Sequence, residues 1–173
     1  MQNESEPLLR LIKLLRAEHA ELTVRGPRFC ILHRLWQPET ICTPGEMIAE
    51  IRLMHRTKQV SLPLSSRLML LFDYLARHRR LAQCAAQIAA GLSADPFSRR
   101  QGAYAKEGPT TSKGLSRTAV KQQIMRLRAG LQTAFRQAGL RLNSGRVLMA
   151  DRTVTNEVRY RLKAVVEWQH TRY

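Results

Sequence analysis

A chain of 173 residues with 44% hydrophobic residues can bury one domain-sized core, and no run in it approaches the roughly 20 apolar residues that a membrane-spanning helix needs. The formal charge of +16 exceeds what solubility requires and points to a polyanionic partner. Residues 1–46 hold six Lys/Arg and six Asp/Glu, so the whole excess falls on residues 47–173.

The opening residues, Met-Gln-Asn-Glu-Ser-Glu-Pro, lack the charged-then-apolar order of a secretory signal, so a cytoplasmic protein with no membrane contact is expected. Leu8, Leu11, Ile12, Leu15 and Leu22 share one helical face and predict an amphipathic helix over residues 6–22. Gly26, Pro27, Pro38, Pro44 and Gly45 then punctuate short runs, of which 28–35, 48–54 and 58–62 read as strands. Ser65 precedes Leu68, Leu71, Phe72 and Leu75, which predicts a capped helix over 65–78. Leu81, Ala85, Ile88, Ala89 and Leu92 give a second helix stopped near Gly91. Residues 93–115 carry three Gly, two Pro and no apolar period, so they read as a long basic loop.

The next helix runs from a Ser116 cap to a stop at Gly139, with Val120, Ile124, Leu127, Leu131 and Phe135 on its apolar face. Its wet face holds Arg117, Lys121, Arg126, Arg128 and Arg136 with no acidic residue, whereas an amphipathic helix normally mixes both signs. Residues 140–143, 145–150 and 153–163 alternate around Asn143-Ser144-Gly145 and Asp151-Arg152, a hairpin signature, and a short helix or tail is expected through Trp168.

This order is that of a winged helix-turn-helix, and the residues carry a resemblance to the OmpR/PhoB family of DNA-binding domains. Val60-Ser61-Leu62-Pro63-Leu64-Ser65-Ser66-Arg67-Leu68-Met69-Leu70-Leu71 resembles that family's strand and first helix. Val120-Lys121-Gln122-Gln123-Ile124-Met125-Arg126-Leu127-Arg128-Ala129-Gly130-Leu131 resembles its recognition helix, and Val158-Arg159-Tyr160-Arg161-Leu162 its closing strand. The likeness covers about residues 47–164. Arg67-Leu68 stands where the family has Glu-Phe, the wing lacks Gly-x-Gly, and no receiver-domain pattern precedes the match. The expectation is an α+β fold: N-terminal short strands, a three-helix core and a C-terminal hairpin wing, plus an N-terminal amphipathic helix. Residues 1–46, a helix and short strands, would either serve as an association module for a second protomer or a protein partner or pack that helix on the chain's own strands, and residues 47–173 would form the DNA-binding domain.

A helix fits the major groove, where Gln pairs bidentately with adenine and Arg with guanine. Thr118, Gln122, Gln123, Met125 and Arg126 are therefore the base-reading candidates, and Arg117, Lys121 and Arg128 the phosphate candidates. Arg128 lies nearer the apolar face and has a second reading, support of the fold through a carboxylate. The resemblance implies that Arg161, with Arg159 beside it, acts from the wing. In the loop, Arg99, Arg100, Lys106 and Lys113 are candidates for DNA backbone or RNA polymerase.

The expected partner is double-stranded DNA, with homodimerisation through the N-terminal segment. A nucleoid, plasmid or phage-type factor that binds DNA or polymerase without promoter selectivity is the alternative. An enzyme is not expected, because no phosphate loop, metal cluster or nucleophile–base set is present. Asp73 could serve as a catalytic acid but has no evident second carboxylate. No cofactor or metal is expected: His19, His33, His55, His78 and His170 lack ligand spacing, and Cys30, Cys42 and Cys84 read as buried free thiols. Trp36 and Trp168 read as packing residues.

Overall fold

Alternating and helical apolar patterns resolve into four helices and seven strands in two sheets over residues 5–36, 45–95, 116–153 and 155–171, which this computed structural model describes. In chain order they are α1 (Ser5–Arg25), β1 (Arg28–Trp36), β2 (Gly45–His55), β3 (Lys58–Ser61), α2 (Ser66–Arg77), β4 (Gln83–Cys84) and α3 (Ala85–Ala94). There follow α4 (Arg117–Gln137), a 3-10 turn (Ser144–Arg146), β5 (Leu148–Arg152), β6 (Val158–Leu162) and β7 (Val165–Thr171). None of the described helices is long and apolar enough to cross a membrane.

The three anticipated N-terminal strands are present and pair in the order β3-β2-β1, antiparallel, with Ile31 opposite Ile51. The fourth strand of that sheet differs from expectation. In place of a helix or tail, β7 runs parallel to β1, with Arg28 opposite Val165. The β-branched pair Val165-Val166 favours extended backbone, and β1 offers an otherwise unpaired edge. Pairing of β1 with β2 and β7 crosses the expected boundary at 46/47, and Phe29 and Ile31 lie in the same core as α2 and α4.

Phe29 ties the layers together: its ring centroid is 5.0 Å from that of Phe72 on α2, edge to face, and 6.4 Å from that of Phe135 on α4. Such aromatic pairs contribute about 0.5–1.5 kcal/mol beyond the area they bury. Both predicted serine caps form. The Ser65 hydroxyl accepts from the Leu68 N–H at 3.4 Å, and Ser116 accepts from the Ala119 N–H at 3.1 Å.

Gly91 does not stop its helix, which continues to Ala94. The Tyr74 ring of α2 lies where a Cβ would stand, so glycine is needed for close approach of α2 and α3. That helix also begins later than Leu81, because Gln83 and Cys84 pair with β6 in the second sheet, order β4-β6-β5. The residues expected to turn the hairpin, 143–145, instead cap and begin the 3-10 turn, with the Asn143 carboxamide oxygen accepting from the Gly145 N–H at 2.8 Å. Closure of β5 on β6 comes later, where the Thr153 N–H donates to Glu157 O at 2.9 Å.

Among the described residues two carboxylates are buried, Asp73 and Asp95. Asp73, 1% exposed, accepts from Trp168 Nε1 at 2.8 Å and from Arg77 Nε at 2.9 Å, and His33 Nε2 lies 3.8 Å away. Burial pushes its carboxyl up, but the nearby His33 imidazole, the bond from Trp168 and the Arg77 charge outweigh that and hold it below the usual carboxylate range. Arg77 also grips Asp95 at 2.8 and 3.1 Å, so the network joins α2, the end of α3 and β7. This is the arrangement of a structural tie, with Trp168 serving as a donor as well as a packing residue. The thiols of Cys30 and Cys84 are buried and free, and burial pushes the Cys30 thiol up, away from reactivity. Cys42 and the side chain of Trp36 lie outside the described residues.

Candidate nucleic-acid interface

Helix α4 is anchored by a continuous inner stripe: Val120, Ile124, Leu127, Leu131, Ala134 and Phe135 are each at most 1% exposed. At 3.6 residues per turn, this burial fixes which side chains face water. Arg117, Thr118, Lys121, Gln122, Met125 and Arg126 are all exposed, Met125 to 70%, while Gln123 is half-buried. A row of polar and cationic side chains, with Met125 among them and no carboxylate, thus runs along the first half of the helix. A rigid inner face lets that row be presented without reordering the backbone, which lowers the entropy cost of any contact it makes.

Three elements meet at the N-terminal end of the row. Arg117 and Lys121, the first residues of α3 (Ala85 and Ala86) and the hairpin residues Asn156 to Val158 surround a shallow depression of about 180 Å³. The first amides of a helix have no intrahelical acceptor and carry partial positive charge, so α3 adds backbone donors to the two side-chain cations. The depression also holds Glu157, whose carboxylate is 3.4 Å from Arg159 Nη2. Sequence reading missed the α3 N-terminus because Leu81, the expected start of that helix, lies outside it. The available signal was Gln83-Cys84, a break in the helical period that β6 uses as a strand.

On β6, Tyr160 and Leu162 point inward and are buried, so the alternating residues Arg159 and Arg161 face outward. Arg161 is exposed; Arg159 is half-buried and engaged with Glu157. Arg152, at the end of β5, is a further exposed cation on the hairpin. Arg128, a phosphate candidate, is half-buried on α4. Its Nε and Nη2 donate to the Leu148 carbonyl at 3.0 and 2.7 Å, so its planar head clamps α4 to the start of β5. Its acceptor is thus a backbone carbonyl, where the fold-supporting reading had named a carboxylate. The loop candidates Arg99, Arg100, Lys106 and Lys113 lie outside the described residues.

The molecule is thus an α+β protein in which a helix with a single-sign wet face lies beside a small basic hairpin. No protein-family model matches the chain, and neither does any curated protein or solved structure.

Proposed function

We propose that the chain is a sequence-specific DNA-binding transcription regulator, with α2, α3 and α4 as the helices and β5–β6 as the wing of a winged helix-turn-helix of the OmpR/PhoB type. The observation that carries this reading is the exposed row Arg117, Thr118, Lys121, Gln122, Met125 and Arg126 on a helix whose other side is fully buried. In this reading Gln122 and Arg126 contact base edges in the major groove. Arg117, Lys121 and the α3 N-terminus seat a phosphate, and Arg161 reaches the neighbouring backbone or minor groove. The alternation of β6 supports the hairpin assignment, since it leaves its arginines on the outer face. Self-association through α1 belongs to the same proposal, because its exposed leucines require a partner surface.

Selection of bound sequences from a random duplex pool tests the reading. A recovered motif is expected, together with a steep fall of affinity with salt from counterion release. Arg126→Ala or Gln122→Ala should cost about 1–3 kcal/mol of discrimination at one position, whereas Lys121→Ala should weaken all sequences alike. A flat salt dependence, or Arg126→Ala binding with unchanged affinity and preference, would contradict it.

A further inference from the structure

We propose that the cleft between the last turns of α1 and the segment joining α4 to β5 binds a small amphiphilic anion: a carboxylate carried on an aliphatic or aromatic body. The cleft measures about 530 Å³, within the range of small-molecule sites. Its wall is apolar, built by Leu22, Leu140, Leu142, Val147 and Met149. Three cations, Arg141, Arg146 and Lys163, stand around it with the imidazole of His19, and no carboxylate is present among its described lining residues. Neither Arg141 nor Arg146 is in an ion pair with a described residue. An apolar slot with unneutralised guanidinium groups at its edge matches a ligand with an apolar body and an anionic head, because Arg pairs bidentately with carboxylates.

The cleft is connected to the helix with the single-sign face. Val147 and Met149 flank Leu148, whose carbonyl holds Arg128 of α4, and the Val147 carbonyl accepts from the Lys163 N–H at 2.7 Å. On the opposite wall Lys163 Nζ donates to the Thr23 carbonyl in the last turn of α1. A carboxylate drawing Lys163 into an ion pair competes with that carbonyl, and a body seated on Val147 and Met149 presses on the strand that Arg128 clamps. Occupancy therefore biases both the seating of α1 and the register of α4 against the hairpin. The consequence for DNA affinity rests on the function proposed above; the binding site itself does not.

Decanoate, used below its micelle concentration on the full chain, is the probe, with decanol and decyltrimethylammonium as neutral and cationic counterparts in isothermal titration. Saturable binding at one site is expected for decanoate, with both counterparts weaker by roughly tenfold or more. Arg146→Glu, on an exposed side chain, should weaken decanoate by a similar factor, and Leu142→Trp should abolish uptake by filling the slot. Where Leu142→Trp fails to fold, Arg146→Glu decides. Absence of saturable uptake, equal uptake of decanol, or binding unchanged in Arg146→Glu overturns the proposal. So does loss of binding on Leu11→Gln, which would assign the probe to the exposed face of α1. The titration needs no DNA, so its failure is distinguishable from failure of DNA binding; adding DNA to the saturated protein then reads a change in affinity.

Discussion

Helices α1 and α4 are both 21 residues long, and they are built for different surroundings. In α4 the apolar residues form one stripe, seven positions are buried, and all five charges are cationic. In α1 the apolar residues Leu8, Leu9, Leu11, Ile12, Leu14 and Leu15 remain 37–68% exposed, while the charged positions carry both signs. The helix meets the body mainly near its end, where Leu22 packs on the core and Arg56 forks onto Glu18 at 2.9–3.3 Å. Packing of its apolar face, more than helix propensity, holds α4 in place. Helix α4 is thus fixed by the domain on one side and open to solvent on the other, whereas the first half of α1 leaves its leucines exposed.

The largest expected effect breaks that symmetry directly. Leu127→Ala, in the buried stripe of α4, should cost about 2–5 kcal/mol through lost burial and a residual cavity. Leu11→Ala, the corresponding truncation on α1, should stay within about 0.5 kcal/mol in a dilute monomer. Urea unfolding of the two variants measures both, and similar losses would show that α1 packs on the body far more than its exposure indicates. If α1 pairs with a second copy, Leu8→Gln with Leu11→Gln and Leu15→Gln lowers the mass seen by light scattering; an unchanged mass removes self-association from the proposal.

A smaller effect concerns the ionic tie beneath α2, which contrasts with both helices in being charged and buried. Asp73→Asn should destabilise by about 1–3 kcal/mol at neutral pH, because Arg77 and the Trp168 N–H lose an ionised acceptor. The Asp73 carboxyl titrates lower in the folded chain than in the unfolded one, so its contribution is complete above about pH 4 and is lost as pH falls through the folded value. Wild type and Asp73→Asn should therefore converge in stability only in strong acid. A constant gap between their curves from neutral pH down to that range would contradict the assignment.

The next contrast lies within α4 itself. Arg128→Ala should lower stability by about 1.5–3 kcal/mol by releasing the Leu148 carbonyl, while Arg126→Ala two residues earlier should leave melting unchanged. Equal melting of the two variants would place Arg128 on the wet face after all. The smallest effect is at the foot of α1, where the pairing of Glu18 with Arg56 is half-exposed. Glu18→Gln should cost no more than about 0.2–1 kcal/mol, and added salt should erase the difference.

What was legible in the sequence follows from where the information is local. Caps at Ser65 and Ser116 and the apolar periods of α2 and α4 are written in neighbouring residues, so those helices fall where the spacing puts them. The strands between Arg28 and Ser61 were equally readable from alternation and punctuation. Pairing between distant segments was not. Nothing near Val165 announces that it will lie beside Arg28, and Gln83-Cys84 becomes a strand only because β6 is there to receive it. Arg128 illustrates the same limit for the site: its spacing along α4 put it near the apolar face and left both a phosphate and a fold-supporting role open, and only the position of Leu148 shows where its guanidinium goes. Gly91 looked like a helix end because local chemistry favours that reading, whereas its cause is the ring of Tyr74 on another helix.

The parallel contact of β7 with β1 has a consequence for how the molecule is made. Its partners are Arg28 and Val165 at one end and Arg34 and Thr171 at the other, so this edge of the sheet closes across nearly the whole chain. During synthesis β1, β2 and β3 emerge early and can pair among themselves, but the outer edge of β1 waits until every helix has been translated. For that interval the nascent chain carries an unpaired strand edge beside Phe29 and Ile31, a template for the wrong neighbour. Trp168, delivered with β7, donates to Asp73 only at that final moment, so the buried carboxylate gains the indole donor last. A ribosome paused before Val165 would therefore hold a chain in which β1 still lacks its β7 neighbour and Asp73 its indole donor.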